Sequence, residues 1–382
     1  MSEAPRVLFL FTSDTEANLH YMYTPDFRGA IDEHVWGRTA GREVGPALQM
    51  DMLDDRGFKG TFFVDVLSEF VFGEGSLQPV FDAIVERGHD VQLHLHTKPH
   101  LRFARDERVR ALEGAVDEDD PAAFREAMEL AIGIFERRAG RRPVAYRAGA
   151  YRIFDTHFPV LADLGIKVDS SVNPFKNSVV EPWMLTRTQP YDVAGVLEVP
   201  ITWCARLDGA FRSEQLAPFA SATAQLEALA ALPAGSPATL CYIAHSFSFL
   251  RVDRQTDEER RLAWNATWKE MVDEEEFELS GHPPQMADMP LMRGVDDARI
   301  EVFGRVLDLL AARGDVAGIT LYELARDWLG SWDEASAVVD PVPAYDFRAG
   351  RGRTLAARRY SASYLEALER GAVSRAGTRA SS

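Results

Sequence analysis

Cysteine is scarce in this sequence: the 382 residues include only two, Cys204 and Cys241. Two cysteines cannot form the disulfide framework on which many small secreted domains depend. Both lie in strand-like runs, VPITWCARL and ATLCYIAHS, so we expect buried, reduced thiols. The length and the 46% hydrophobic content predict instead a soluble globular protein with a substantial core.

Positive charge is also in deficit. The chain has 42 lysines and arginines against 59 aspartates and glutamates, which gives a net charge of −17. Nucleic acids and other polyanions bind to net-basic surfaces, so this balance argues against a nucleic-acid partner. A small phosphorylated ligand stays compatible with it, because such a ligand needs only a local basic cluster.

Long hydrophobic runs are missing as well. No stretch approaches the roughly 18 apolar residues that a membrane span needs. The first residues, MSEAPRVLFLFTSDTE, lack the charged start, the full apolar segment and the small-residue cleavage site of a signal peptide. The sequence therefore predicts a cytoplasmic protein without a membrane span.

What the chain does contain is a repeated alternation of short β-branched or aromatic runs with amphipathic, helix-like segments. Such alternation predicts an α/β fold built on a parallel sheet or barrel. Two segments depart from it: an acidic and then Met/Pro-rich insertion over residues 250–295, and a Pro/Gly/Arg-rich tail over residues 336–382. We predict one domain over residues 1–335, with the insertion inside it, followed by the tail. The predicted strands are 6–12, 60–66, 90–96, 144–148, 166–172, 196–202, 238–245 and 318–324.

Polar and titratable residues collect where these runs end. In parallel α/β sheets and barrels the carboxyl ends of the strands meet at one edge, and the catalytic groups lie there. We therefore take the residues at these ends as the candidate site. They are Asp14, Glu16, Asp65, His94, His96, His100, Arg147, Asp169 and His245.

Three of the nine histidines fall in the heptapeptide HLHTKPH, residues 94–100. Strand alternation puts His94 and His96 on one face, and His100 follows His96 at i+4, a spacing suited to two imidazoles on one ion. A pair of solvated or hydrogen-bonded histidines is the plainer alternative. A catalytic zinc site usually adds a carboxylate, which Asp14 or Glu16 would supply. The other carboxylate would then take a proton from water.

Arg147 and Asp169 each place a charge after a buried strand. Buried charges are costly unless they are paired, so we expect an ion pair either between these two residues or between Arg147 and Asp14. Gly149 leaves the backbone after Arg147 free to approach a substrate closely. His245, alone at its strand end, fits either a core histidine or a general acid for the leaving group.

Taken in order, several stretches resemble the polysaccharide deacetylases with a NodB-homology domain, carbohydrate esterase family 4. The resemblance covers roughly residues 5–330. It implies a distorted (β/α) barrel of about seven to eight strands, a divalent metal ion, usually zinc, and hydrolysis of an N-acetyl or related acyl group on a sugar. The stretches are LFTSDTE, GFKGTFFVDV, RGHDVQLHLHTKPH, AYRAGAYRI, LADLGIKVDSSV, LEVPI, YIAHSF and ITLYELA.

The resemblance also implies the histidine ligands. HTKPH matches the family's His-Ser/Thr-x-x-His metal motif, which gives His96 and His100. Counted from Gly88, however, the first ligand would fall at His94, with Lys98 in the second position. Lysine is a poor ligand, so we predict His96 and His100 and keep His94 as the alternative.

Further roles follow from matching positions. Arg147 matches the arginine that positions the catalytic base, Asp169 the aspartate of the fourth motif, and His245 the histidine that protonates the leaving amine. Where the family usually has adjacent aspartates, this chain has Asp-Thr-Glu. We assign Asp14 as the base and Glu16 as the metal ligand, and the exchange of these two roles stays open.

The resemblance thus predicts a metal-dependent deacetylase that acts on an amino sugar or polysaccharide precursor, with an oxyanion donor in the backbone near Ala150. The opposite charges of the insertion and the tail are compatible with a homo-oligomer. Three alternatives stay open. They are a hydrolase of the same fold that opens an amide or cyclic imide of a non-sugar metabolite, a catalytically inactive carbohydrate-binding relative, and an iron site with two histidines and one carboxylate.

Overall fold

The structure is a computed structural model, and its described residues form a curled α/β half-barrel. This architecture confirms the predicted α/β class and the distorted (β/α) barrel. The described residues are 7–17, 31–39, 41–98, 100–173, 184, 187, 189–202, 238–254, 290–332, 345–346 and 351–352.

The strands follow the predicted runs at most positions. Polar residues close several of them, so the carboxyl ends of the strands carry the candidate site. In chain order the strands are β1 (Val7–Thr15), β2 (Arg38–Thr39), β3 (Arg42–Glu43), β4 (Gly60–Asp65), β5 (Asp90–Leu95), β6 (Ala145–Ala148), β7 (Val168–Asp169), β8 (Tyr191–Val193), β9 (Val196–Glu198), β10 (Ala238–His245), β11 (Leu250–Arg254), β12 (Pro290–Val295), β13 (Val316–Gly318), β14 (Tyr345–Asp346) and β15 (Arg351–Gly352).

Within the described residues, nine of these strands form the main sheet: eight follow the order β10-β1-β4-β5-β6-β7-β9-β8, and β13 is the ninth. Strand β13 pairs with the first residues of β1, where β4 does not reach. All the pairings are parallel except that between β8 and β9. Parallel neighbours bring their carboxyl ends to the same edge, which is why residues distant in sequence meet there.

The helices cover the outside of the sheet, and several of them begin at a side-chain cap. Asp120 caps α5 by accepting hydrogen bonds from the backbone of Ala122 and Ala123 at 3.0 and 3.1 Å, and Gly140 ends it in the left-handed conformation. The α-helices of the described residues are α1 (Pro46–Asp54), α2 (Glu69–Phe72), α3 (Gln78–Glu86), α4 (Glu107–Arg110), α5 (Pro121–Ala139), α6 (His157–Asp163), α7 (Asp297–Ala311) and α8 (Leu321–Asp327).

The prediction of a strand over residues 318–324 is wrong. Strand β13 ends at Gly318, and helix α8 begins at Leu321. The Thr320 side chain accepts a hydrogen bond from Glu323 N at 3.2 Å, while the Glu323 side chain accepts one from Thr320 N at 2.8 Å. This reciprocal capping box starts a helix and outweighs the strand preference of the apolar residues around it.

Helix α8 closes the amino end of the half-barrel. Its first backbone N–H groups are bound by the sheet: Leu321 N donates to Thr61 Oγ1 at 2.9 Å and Tyr322 N donates to Asp90 Oδ2 at 3.1 Å. Its apolar side chains complete an inner core below the candidate site. This inner core consists of Leu10, Phe63, Ala145, Val168, Leu197, Val199, Cys241, Leu321 and Leu324.

The predicted insertion is described only near its two ends, where β11 and β12 pair as an antiparallel ribbon. Residues 255–289, Cys204 and most of the tail lie outside the described residues; of the tail only β14 and β15 are described, and they pair with each other. The domain boundaries therefore stay predictions. None of the helices in the described part of the chain combines the length and the apolar character that crossing a membrane requires.

Candidate active site and metal centre

Two imidazoles and one carboxylate converge at the carboxyl ends of β1 and β5. The ligand atoms of Glu16, His94 and His96 all lie within 4.8 Å of one another. Both rings point Nε2 at the same atom, Oε2 of Glu16, at 3.0 Å for His94 and 2.7 Å for His96. All three residues are nearly buried. This is the donor set of a catalytic zinc site with three protein ligands.

The surrounding backbone holds both rings in place. His94 Nδ1 lies 2.8 Å from the carbonyl oxygen of Arg147, which can only accept, so Nδ1 carries the proton and Nε2 faces Glu16. Metal-binding histidines are commonly oriented in this way through their other nitrogen. A Cβ on Gly149 would lie 2.5 Å from His96 Nδ1 and 2.6 Å from the Leu95 carbonyl oxygen. Glycine at this position therefore leaves room for the His96 ring, and the residues present fit a divalent cation.

The electrostatics of this group favour a positive charge at its centre. Burial by itself would raise the pKa of Glu16, but the charges and hydrogen bonds of His96 and His94 outweigh it and hold that pKa well below its usual value. Burial would lower the pKa of His96, but Glu16 outweighs it and raises that pKa to about 9. The pKa of His94 is raised against burial by Asp14 and Glu16. The negatively charged carboxylates therefore shift the pKa values of His94 and His96 more than the burial of the two rings does.

His100 lies beside this group and has a different carboxylate partner. Its Nε2 is 2.7 Å from Oδ2 of Asp65, and both side chains are 1% exposed. Oδ1 of Asp65 also accepts a long hydrogen bond from His96 N at 3.4 Å. The structure therefore brings His94, rather than His100, together with Glu16 and His96. The predicted ligand set with His100 stays a prediction, and the alternative with His94 has the closer donor atoms.

Arg147 pairs with Asp14, one of the two pairings that the sequence left open. Its Nη1 donates to Asp14 Oδ1 at 2.8 Å and to Thr12 Oγ1 at 2.9 Å. Its Nε and Nη2 donate to the carbonyl and hydroxyl oxygens of Ser170 at 2.8 and 2.9 Å, and the guanidinium lies 4.3 Å from the centre of the Phe63 ring. Burial would lower the pKa of Arg147, but Asp14 raises it above its usual value, so the guanidinium stays protonated. These contacts fix Asp14 in one orientation.

His245 approaches both carboxylates from the end of β10. Its Nε2 lies 3.8 Å from Asp14 Oδ2 and 3.8 Å from Glu16 Oε1, distances longer than a hydrogen bond. The next residue, Ser246, fastens the segment that carries these carboxylates. Its hydroxyl donates to the Glu16 carbonyl at 2.9 Å, and its backbone N–H donates to the Asp14 carbonyl at 2.8 Å.

Asp169 points away from Arg147. Its oxygens accept hydrogen bonds from the backbone and hydroxyl of Ser171, at 3.0 and 2.8 Å. Its register partner on β9 is Glu198, a second fully buried carboxyl group. Arg147 instead contacts Ser170, the residue after Asp169, because successive strand residues face opposite sides of the sheet. A catalytic role for Asp169 stays a prediction.

The turn after β6 has unusual backbone angles. Ala150 and Tyr151 have φ values of 50° and 59°, a left-handed conformation that costs energy for residues other than glycine. Ala150 is exposed, and the turn directly follows the strand that carries Arg147. Backbone strain of this kind is concentrated at functional sites, and the oxyanion donor near Ala150 stays a prediction.

Sequence reasoning gave no role to three residues that organise the site. Asp65 was noted only as a strand-end carboxylate, whereas Ser170 and Ser246 were not singled out. Both serines directly follow a predicted site residue, Asp169 or His245. The signal that would have found them is therefore a polar residue one position beyond a strand-end candidate.

No protein-family model matches the sequence, and the comparison with curated proteins finds no match. Solved structures do match. A Mycobacterium smegmatis protein described as a polysaccharide deacetylase has a TM-score of 0.52 and 15% identity, covering 85% of this chain and 91% of its own. A Pseudomonas aeruginosa PAO1 protein described in the same way has a TM-score of 0.52 and 16% identity, covering 86% and 93%.

The third similar structure is an allantoinase, Puue. Its TM-score is 0.51 at 15% identity, and the match covers 87% of this chain and 94% of that protein. Identities this low carry information on the fold but not on the reaction. The chain therefore has the fold that these polysaccharide deacetylases and the allantoinase share.

Proposed function

We propose that the chain is a metal-dependent hydrolase that removes an N-acetyl or related acyl group from an amino sugar or a polysaccharide precursor. The observation that carries this proposal is the buried Arg147–Asp14 ion pair next to the group of Glu16, His94 and His96. Asp14 precedes Glu16 by two residues. The arrangement separates a carboxylate held for proton transfer from one placed for metal binding. That division of labour is what metal-assisted amide hydrolysis needs.

Glu16, His94 and His96 would hold the ion, and their nitrogen and oxygen atoms suit zinc. The set with His100 in place of His94 is the alternative. A zinc ion bound there would supply a Lewis acid for the acyl carbonyl and its attacking water. The chain itself orients the ligands: Arg147 holds His94 through its carbonyl oxygen, and the absence of a side chain at residue 149 admits His96.

Asp14 would act as the general base. Its Oδ1 accepts the hydrogen bond from Arg147, which leaves the lone pairs of Oδ2 oriented toward the side of His245. The guanidinium of Arg147 fixes the orientation of this carboxylate, and a carboxylate oxygen can accept a proton. The proton of the attacking water passes to Asp14 as the water oxygen bonds to the acyl carbon.

His245 would act as the general acid. Its Nε2 lies at equal distances from the carboxylates of Asp14 and Glu16. If Asp14 acts on the attacking water, the scissile bond must lie at this same edge of the sheet, close to His245. It gives a proton to the nitrogen as the carbon–nitrogen bond breaks, so the products are a carboxylic acid and an amine. A backbone N–H near Ala150 would donate to the oxyanion.

Opening of a cyclic amide is the second candidate. It is favoured by the match to the allantoinase, whose TM-score of 0.51 nearly equals those of the deacetylases. The same base, acid and ligand set would serve for both reactions, since each breaks a carbon–nitrogen bond next to a carbonyl. The shape of the substrate, rather than the chemistry of these residues, separates the two.

One experiment tests the proposal against the opening of a cyclic amide and against a catalytically inactive relative. The purified protein, loaded with zinc and with cobalt in parallel, is assayed for acetate release from N-acetylated amino sugars and for ring opening of cyclic imides and ureides. Acetate release that Asp14→Asn abolishes supports the deacetylase. Ring opening alone supports the second candidate. Failure to bind either metal, with no hydrolysis of any substrate, would identify an inactive relative and contradict the proposal.

A further inference from the structure

Two carboxyl groups are buried side by side on the face of the sheet opposite to Arg147. Asp169 and Glu198 are register partners on the neighbouring parallel strands β7 and β9, and both are 0% exposed. On the other side of Asp169 its register partner is Tyr146, a buried residue of the large apolar core that is separate from the inner core. Register partners in a parallel sheet lie about 4.8 Å apart with side chains on the same face. The two carboxyls are therefore neighbours in a water-poor layer.

Their hydrogen bonds are unequal. Asp169 accepts from Ser171 N at 3.0 Å and from Ser171 Oγ at 2.8 Å, so both of its oxygens have donors. Glu198 Oε1 accepts from Val172 N at 3.1 Å, whereas Oε2 is buried and no donor reaches it within the described part of the chain. A proton on Oε2 of Glu198, directed at Asp169, would satisfy that oxygen. This arrangement leaves one negative charge, on the carboxylate with the donors.

The groups around Asp169 and Glu198 favour a single negative charge on this pair. Two ionised carboxylates in contact repel each other, so one of them must take up a proton. Burial raises the pKa of Glu198 well above its usual value, and the adjacent Asp169 raises it further. Burial raises the pKa of Asp169, and the positive charge of Arg147, on the opposite face, opposes that rise. Burial raises the pKa values of Tyr191 and Cys241, so both groups are neutral near pH 7.

The pair lies directly behind the residues that orient the catalytic base. Ser170 accepts two hydrogen bonds from Arg147 and donates its hydroxyl proton to the Val199 carbonyl at 2.8 Å. Ser171 Oγ, which donates to Asp169, also accepts a hydrogen bond from Ala148 N at 2.8 Å, at the start of the strained turn. Movement of residues 170–172 would therefore disturb both Arg147 and the turn.

We propose that Asp169 and Glu198 share a single proton and act together as a positioning pair, which holds residues 170–172 so that Arg147 stays on Asp14 and the turn after β6 keeps its shape. Its catalytic consequence rests on the proposed function. Neither carboxyl touches the metal-binding group. The pair acts through Ser170 and Ser171, so its loss changes catalysis without removing the ion.

Infrared difference spectroscopy tests the shared proton without substrate. The wild-type protein near pH 7 should show the carbonyl band of a buried, protonated carboxylic acid, and Glu198→Gln should lose it. An absent band, or a band that Glu198→Gln leaves unchanged, overturns the shared proton. This measurement is valid whether or not the protein hydrolyses any substrate.

The positioning role is tested with a matched pair of substitutions. Glu198→Gln keeps an N–H donor toward Asp169, so its kcat should stay within about threefold of wild type. Glu198→Ala removes the donor and should lower kcat about 10- to 100-fold, a range typical of residues that orient catalytic groups, with KM and zinc stoichiometry unchanged. Equal losses in both variants, or none in Glu198→Ala, overturn the role.

A readout independent of turnover separates this test from the proposed function. Hydrogen–deuterium exchange of the peptides over residues 145–151 and 168–173 should rise in Glu198→Ala and stay at the wild-type level in Glu198→Gln. If no hydrolysis is found but exchange follows this pattern, the proposed function fails and the positioning pair stands. If exchange is the same in both variants, the positioning pair fails whatever the activity.

Discussion

Strand β5 has buried histidines at both of its ends, and their pKa values are shifted in opposite directions. At the amino end, His89 Nδ1 accepts a hydrogen bond from Gly60 N at 3.0 Å, and its Nε2 lies 3.2 Å from Oδ1 of Asp54. Burial lowers the pKa of His89 to about 4, so the ring is neutral near pH 7. At the carboxyl end, Glu16 outweighs burial and raises the pKa of His96 to about 9.

The difference lies in what else each carboxylate binds, since both histidines are buried. Asp54 also accepts hydrogen bonds from Lys59 at 2.6 Å and from Arg87 at 2.7 Å, so its charge is already paired. Oε2 of Glu16 receives two imidazoles, and none of the described ion pairs joins it to a lysine or an arginine. A buried histidine beside a carboxylate is therefore not in itself a metal site. Two rings that converge on one otherwise unpaired carboxylate oxygen indicate one.

The largest effect should come from the carboxylate proposed as the base. Asp14→Asn should lower kcat about 100- to 10,000-fold, the usual contribution of a positioned acid or base, because an amide cannot take up the proton. Zinc content, measured by metal analysis, should not change. The matched control is Asp54→Asn at the amino end of the sheet, which should keep kcat near wild type. An Asp14→Asn enzyme with full activity would refute the assignment.

The next effect separates the histidines at the two ends of β5. His94→Ala should weaken zinc binding about 100-fold or more, since it removes one of three ligands of a site whose supporting contacts alone contribute 10- to 100-fold. His89→Gln should bind zinc as the wild type does. Equilibrium dialysis against a competing chelator measures both. Equal affinities in the two variants would contradict the difference between the ends.

A smaller effect is expected at His100. It contacts Asp65 and not Glu16, so His100→Ala should weaken zinc binding only about tenfold, as expected for a residue that supports a ligand. The same competition assay, with His94→Ala alongside, gives the comparison. If His100→Ala weakens zinc binding about 100-fold and His94→Ala only about tenfold, then the ligand set predicted from the HTKPH motif is correct and the one with His94 is wrong.

The smallest effect concerns stability against acid. A histidine whose folded pKa is about 4 binds its proton in the unfolded chain first, so its contribution to stability is complete above about pH 6.5 and is lost as the pH falls toward 4. In urea unfolding, the midpoint of the wild type should fall more steeply between pH 7 and 4.5 than that of His89→Gln. Parallel curves would show that His89 is not held neutral.

The central strands were predictable because each is a short apolar run that ends at polar residues. The predicted strand 238–245 matches β10 at both ends, and the predicted strand 60–66 exceeds β4 by one residue. At β7 the prediction of 166–172 is too long, since only Val168–Asp169 forms a strand. Beyond Asp169 the backbone is held by hydrogen bonds to side chains, which the apolar pattern of a run does not show.

The candidate site was predictable in its members but not in all its pairings. Period-two alternation in DVQLHLH puts His94 and His96 on one face of the strand, and the structure has both rings on Glu16. The place of His100 depends on Asp65, which lies 35 residues earlier on a neighbouring strand. Spacing along the chain cannot rank such contacts, because they depend on which strands are adjacent.

By itself the sequence determined the alternation of strands and helices, the polar character of the strand ends and the concentration of histidines at the carboxyl end of β5, since these follow from local residue pattern. Only the tertiary structure decided that Arg147 binds Asp14, that His100 binds Asp65, and that Asp169 lies against Glu198. Each of these contacts joins side chains that lie on different elements of the fold. Strand order and register fix which side chains meet, and no local pattern specifies either.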